Sequence, residues 1–219
     1  MGFSYRSAIG ELIYALTICR IDISIAIITL SQHSAKPAKI HYQALKHVFI
    51  YLNATIDDGI YYWRPAPHPD LPEGLLPIPI TDPKRLADFL DFEDATTVKG
   101  ACDSTWASDR KHRRSMGGVV FMMAGGAIYY RSRLQTTIAL SSTEAEFCNM
   151  VDAGKAALYI RSILEEIGLE QLVPTYTCAD NRAARQMCKA QQPTRRTRHV
   201  AIHDFVILQW TEEERIDYA

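Results

Sequence analysis

Four acidic residues, in three short motifs, are of a type and setting that could do chemistry. Asp103 lies in Ala101-Cys102-Asp103-Ser104, and Asp180 in Thr177-Cys178-Ala179-Asp180-Asn181. Glu144 and Glu146 lie in Ala139-Leu140-Ser141-Ser142-Thr143-Glu144-Ala145-Glu146-Phe147. These settings read as strand, strand end and helix start. Three acids delivered from such elements can converge at one edge of a sheet. Magnesium takes oxygen ligands in a near-octahedral shell and is held by few carboxylates plus substrate phosphates. Two such ions about 4 Å apart can activate a water and stabilise the leaving oxygen of a phosphodiester. Clustering buried like charges is expensive without a cation, so the cluster itself argues for metal.

Each acid also has a purely local reading. Glu146 is the third helical residue if Thr143 caps the helix, and Glu144 is the third if Ser141 does; either could simply complete a capping box. Asp180-Asn181 could be a turn or a helix cap. Asp103 is harder to explain locally, because aspartate is unfavourable inside an apolar strand.

Helical and strand periodicities supply the elements that must position these acids. Residues 5–55 read as helices: Ile9, Leu12, Ile13 and Leu16 fall at helical spacing, as do Tyr42, Leu45, Val48, Phe49 and Leu52, with a break near Arg20-Ile21-Asp22. Asp57-Asp58-Gly59 reads as a turn into a short strand, Ile60 to Trp63. Seven of the ten prolines lie between Pro65 and Pro83, followed by an acidic run from Asp88 to Asp94. Proline resists regular pairing, so residues 64–96 read as a linker and a domain boundary. Beyond it, Val98 to Trp106 reads as a strand, and Gly117 to Met123 with Ala127 to Ser132 as a hairpin around Gly125-Gly126. Residues 143–167 read as a long helix with a Thr143–Glu146 capping box and Gly168 at its end. Val173 to Cys178 reads as a strand, Asn181 to Ala190 as a short helix, and His199 to about Glu213 as a last helix. The order β-β-β-α-β-α-α predicts a mixed sheet with helices packed on it.

Composition narrows the class. The 219 residues are 47% apolar and 22% charged, with a net charge of −1. No global field draws the chain to nucleic acid, so any such binding needs local patches. Five cysteines, an odd number with no CxxC pair, argue against a disulfide framework or zinc ribbon; they read as small buried hydrophobes in a reducing, intracellular compartment, cytoplasmic or nuclear. No signal peptide is visible at Met1. Glu11, Arg20 and Asp22 interrupt the apolar stretch from Ala8 to Leu30, so it reads as packed helices and not as a membrane span.

Taken together, the motifs resemble the RNase H domain of copia-type retrotransposon polyproteins. Cys102-Asp103-Ser104-Thr105-Trp106-Ala107-Ser108-Asp109 is similar to that family's S-D-A-D-W-A-G-D, and Arg113-Arg114-Ser115-Met116-Gly117-Gly118-Val119-Val120-Phe121 to R-R-S-T-S-G-Y-V-F. Ala139 to Phe147 nearly repeats A-L-S-S-T-E-A-E-Y, Ala179-Asp180-Asn181 sits where C-D-N falls, and Thr197-Arg198-His199-Val200-Ala201-Ile202 resembles T-K-H-I-D-I. Tyr5-Arg6-Ser7-Ala8-Ile9-Gly10-Glu11-Leu12-Ile13-Tyr14 resembles the end of the same family's reverse transcriptase, whose Y-x-D-D acids are absent here, so the chain is not expected to synthesise DNA.

The resemblance implies an α/β, RNase H-like mixed sheet with flanking helices over residues 97–219, preceded by a thumb-like helical remnant over 1–63. It implies hydrolysis of the RNA strand of RNA–DNA hybrids with two magnesium (or manganese) ions, held by Asp103, Glu146 and Asp180. Glu146 is chosen over Glu144 because Ala-Glu-Phe aligns with the family's acid-then-aromatic pattern. Ala201 stands where the family has a further aspartate; Asp204, one helical turn on, is the candidate substitute. Arg113, Arg114, Arg196, Arg198 and His199 become candidate phosphate contacts. Trp106 and Trp210 read as core. Other parts of the element's polyprotein are further partners. Ala201, and an end that falls where the family begins its last strand, favour the alternative: a catalytically inactive fragment that binds nucleic acid or only folds.

Overall fold

A computed structural model describes residues 3–60, 62, 96–109, 111–189 and 201–218, without the side chains of Lys189 and of 201–205. Two compact units, residues 1–60 and 61–219, make up the chain. The expected proline-rich linker lies almost wholly outside the described residues.

The first unit is helical. α1 (Tyr5–Ile18) starts where Ser4 Oγ accepts the Ser7 N–H, and α2 (Ser24–Ser31) and α3 (Lys39–Ala54) follow. Tyr5, Ala8, Ile9 and Leu12 recur at helical spacing and are buried with Ile27 and Leu30 of α2 and Leu45 and Val48 of α3. The break between α1 and α2, a single 3-10 turn at Ile21–Ile23, is held by Arg20. This guanidinium is nearly buried and meets both Asp22 oxygens, at 3.0 and 2.7 Å. It also donates to Thr55 O at 2.9 Å and Thr55 Oγ1 at 2.6 Å, at the end of α3. One cation thus ties the 3-10 turn between α1 and α2 to the C-terminal cap of α3. The hydrogen bond and charge of Asp22 raise the Arg20 pKa, and those of Arg20 hold the Asp22 carboxyl below its ordinary value. Of the strand expected at 60–63, Ile60 and Tyr62 show no strand pairing, and Tyr61 and Trp63 lie outside the described residues.

The second unit is α/β, as the sequence pattern implies. β1 (Lys99–Thr105), β2 (Met116–Met123) and β3 (Gly126–Leu134) form an antiparallel meander, turned at Ala124 and Gly125, both at positive φ. β4 (Thr175–Ala179) then pairs parallel to β1, giving the described sheet the order β3-β2-β1-β4-β5. The last member, β5 (Ile216–Tyr218), is three residues long and pairs parallel to β4. Tyr218, fully buried, secures it by donating its hydroxyl to Met150 O at 2.7 Å.

The long helix α4 (Ser142–Glu166) packs on β1, β2 and β4, with the shorter α5 (Arg182–Lys189) and α6 (Ala201–Glu212) beside it. Phe147, Met150, Val151, Ala157 and Ile160 of α4 form the core with Cys102 of β1 and Val119 and Phe121 of β2. Burying each large apolar side chain contributes roughly 2–3 kcal/mol, and this stripe fixes α4 against the sheet. Two polar clamps complete the frame. Arg161 of α4 donates to Gln171 O, Val173 O and Thr175 Oγ1, setting the entry to β4. Gln171 in turn accepts the Val98 N–H and donates to Thr96 O, setting the entry to β1.

Removing Arg20 tests the helical unit directly. Arg20→Ala is expected to lower its stability by about 2–3 kcal/mol, between the exposed and fully buried ion-pair cases, because Asp22 is a third exposed. Denaturant unfolding measures this. The Asp22 contribution is present above the ordinary aspartate range and is lost as pH falls through the depressed value, so Arg20→Ala should narrow the gap between neutral and acid stability.

Candidate metal centre

Asp103 enters the site from β1, where it pairs with Gly118 two residues before the strand ends. Asp180 follows β4 directly. Cys102 pairs with Ala179 in the parallel β1–β4 register, so Asp103 and Asp180 occupy the next positions on adjacent chains. Their spacing is therefore that of neighbouring strands, roughly 5 Å. Glu146 comes from the second turn of α4, packed across the same strands. One carboxylate oxygen from each of Asp103, Glu146 and Asp180 lies within 4.8 Å of the others. No other such group of three occurs among the described residues.

Capping is done by the neighbours of these acids. Ser141, and not Thr143 as the capping-box reading has it, is the N-cap of α4: its Oγ accepts the Glu144 N–H at 3.1 Å. Glu144 reaches back to accept the Leu140 N–H at 2.8 Å. Asn181 Oδ1 accepts the Ala184 N–H at 3.0 Å and so starts α5. Glu144 and Asn181 thus satisfy the helix ends, which leaves Glu146 and Asp180 for the cluster.

Glu146 is the buried member, while Asp103 and Asp180 are exposed. Its Oε1 accepts the Ser104 N–H at 3.2 Å, and Ser104 lies beyond the last β1–β4 register pair. Its Oε2 is buried and has no hydrogen-bond partner. Burial raises the Glu146 pKa above the ordinary glutamate value, and the charges of Asp103 and Asp180 push it the same way against the Ser104 hydrogen bond. Burial, then the same carboxylates and Cys178, push the Cys102 thiol up to about 12. An orphaned buried carboxylate oxygen beside two further acids is a donor set that fits a hard divalent cation.

Other expected site residues fare differently. Arg113 and Arg114 are exposed on the loop that leaves β1 just after the site. Asp204 lies on α6, but its side chain is outside the described residues, as are Arg196, Arg198 and His199. Trp106 is not core: it is 48% exposed, with its Nε1 donating to Ala139 O at 3.0 Å. Trp210 packs partly buried against the core. Cys102 and Cys188 are buried, whereas Cys19 and Cys178 are exposed and depart from the buried reading. Sequence reasoning missed Asn149, which donates from α4 to Asp103 O at 2.7 Å and to Gly118 O at 2.9 Å. The available signal was an asparagine within the apolar stripe of Phe147, Met150 and Val151.

Removing the Glu146 charge separates repulsion from ligation. Because its carboxyl is raised, the folded protein holds that proton more tightly than the unfolded chain. Ionisation therefore lowers stability as pH rises from the ordinary glutamate value through the raised one. Without divalent ions, Glu146→Gln should melt above wild type at neutral pH and converge with it under acid conditions. Added magnesium or manganese should raise the wild-type melting temperature and leave Glu146→Gln nearly unchanged. Calorimetry across pH, with and without ions, reads both.

No protein-family model matches the chain. Sequence relatives do. The retrovirus-related Pol polyprotein from transposon TNT 1-94 of Nicotiana tabacum is 29% identical over 212 residues, 97% of this chain. That from transposon RE1 of Arabidopsis thaliana is 28% identical over 198 residues, 90% of this chain. The chain spans 14% and 12% of those two polyproteins. Secreted RxLR effector protein 161 of Plasmopara viticola is 33% identical over 158 residues, covering 71% of this chain and 90% of that protein. Among solved structures, LC11-RNase H1 isolated from compost is similar with a TM-score of 0.43 and 11% identity, covering 57% of this chain and 83% of that one. RNase H1 from the archaeon Halobacterium salinarum NRC-1 gives 0.39 and 14%, with 56% and 81% covered. Over nearly its whole length, the chain is homologous to one part of the retrovirus-related Pol polyproteins of plant transposons.

Proposed function

We propose that this chain is a retroelement RNase H that hydrolyses the RNA strand of RNA–DNA hybrids in a divalent-metal-dependent reaction. The single observation that carries this reading is the meeting of the Asp103, Glu146 and Asp180 carboxylates within 4.8 Å at the ends of β1 and β4. These residues would hold magnesium or manganese, with Glu146 Oε2 the oxygen still lacking a partner. Two bound ions supply positive charge that activates water and stabilises the leaving oxygen of the phosphodiester. The chain's own part is to fix its acids on rigid elements and to seat the hybrid. Arg113 and Arg114, on the loop after β1, meet backbone phosphates, and the 2′-hydroxyls mark the RNA strand. Asp204 is the candidate fourth acid. Residues 1–63 are then a thumb-like remnant of the reverse transcriptase, and other parts of the polyprotein are natural partners.

One observation favours a second reading, an inactive fragment that only binds nucleic acid: Ala201 stands where the family's motif has aspartate. A labelled RNA–DNA hybrid assay decides between them. Wild type should cleave the RNA strand only with magnesium or manganese, and Asp103→Asn should abolish cleavage while still binding the hybrid. An inert wild type whose hybrid binding weakens with salt would sink the nuclease reading and leave the second.

A further inference from the structure

Asn149 is 3% exposed, on the face of α4 that meets the sheet, and lies three residues after Glu146. Its Nδ2 spans two strands at their point of pairing: it donates to the carbonyls of Asp103 and Gly118, which are register partners on β1 and β2. On the next residue of β1, the Ser104 N–H donates to Glu146 Oε1. The helix carrying one acid therefore grips the strand carrying another at two consecutive residues, once through Asn149 and once through Glu146. Apolar packing fixes how far α4 stands from the sheet but leaves sliding along it weakly opposed. A short, buried, doubly bonded amide opposes it.

Gly117 belongs to the same device. A Cβ built there would overlap Asn149 Oδ1 and crowd its Cγ. Because Nδ2 is committed to two carbonyls and the amide is buried, Asn149 cannot swing aside without losing both bonds.

We propose that Asn149, in the space left by Gly117, is a positioning residue that sets the separation of the Asp103 and Glu146 carboxylates. Its role in catalysis rests on the metal-centre reading above. Its role in geometry does not.

Four full-length proteins test it: wild type, Asn149→Ala, Gly117→Ser, and the double variant. Metal-free amide hydrogen exchange, resolved by residue, is the first readout. The Ser104 amide should exchange roughly tenfold faster in Asn149→Ala, while core amides far from the site, such as those of Ile160 and Leu164, keep their protection. The same change should appear in Gly117→Ser, where the new side chain dislodges Asn149. Because serine then has room, the double variant should be no worse than Asn149→Ala alone. Manganese binding by calorimetry is the second readout, with about 10–100-fold weaker affinity expected in each variant, the range for residues that orient metal ligands. In hybrid cleavage, kcat should fall with KM little changed.

Unchanged Ser104 exchange in a folded Asn149→Ala protein would overturn the proposal. So would fully additive defects in the double variant. A wild type that neither binds manganese nor cleaves would sink the metal-centre reading instead, and the exchange data would still decide whether Asn149 positions the strand. Should Asn149→Ala fail to fold, Gly117→Ser and its relief by Asn149→Ala in the double variant carry the same test.

Discussion

Carboxylates repel, and oxygens of Asp103, Glu146 and Asp180 lie within 4.8 Å of one another. A like-charged pair about 4 Å apart costs ~1 kcal/mol in water and ~4 kcal/mol in surroundings typical of a protein surface. Whole domains are stable by only about 5–15 kcal/mol, so such a cluster persists only on a frame that cannot relax. The second unit supplies one. Two acids come from the ends of paired parallel strands and the third from a 25-residue helix packed across those strands. Arg161 and Gln171 fix the entries to β4 and β1 through backbone carbonyls and amides, at the opposite ends of these strands from the acids. Burial leaves Glu146 with a raised pKa and an unpartnered oxygen. The same repulsion that destabilises the bare protein is what a divalent cation would relieve.

How this centre coexists with ordinary helix chemistry follows from a division of labour between neighbours. Glu144 and Asn181 serve the helix starts, and Glu146 and Asp180 are freed. An acid that both capped a helix and bound a metal would be held at the helix start, whereas Glu146 spends only Oε1 on the Ser104 N–H and keeps Oε2 unpartnered. Adjacent residues with distinct roles avoid that conflict.

Much of the arrangement was legible in the sequence. The apolar, β-rich runs on either side of Gly125-Gly126 marked the β2–β3 hairpin, and Asp103 stood out because an aspartate inside an apolar strand has no local explanation. Spacing alone left Glu144 and Glu146 equivalent, since either could complete a cap; the identity of the capping residue, Ser141, is a matter of backbone angles that residue type does not specify. Trp106 was misread because aromatic rings usually bury, whereas here its indole N–H finds a carbonyl and half of the ring stays exposed. β5 was hard to foresee: three residues hold as a strand because Tyr218 and Ile216 reach the core and β4 offers an edge. Asn149 stood out only as a polar residue in an apolar stripe; its partners could not be read, because its bonds join residues far apart in sequence.

The central claim, that three carboxylates from β1, α4 and the end of β4 form a single metal centre, is tested most directly by diffraction from crystals grown with manganese. Anomalous scattering should place at least one ion with oxygens of Asp103, Glu146 and Asp180 at about 2.1–2.2 Å, typical for a hard cation. Saturating manganese that leaves this site empty, or binds only elsewhere on the chain, would contradict it.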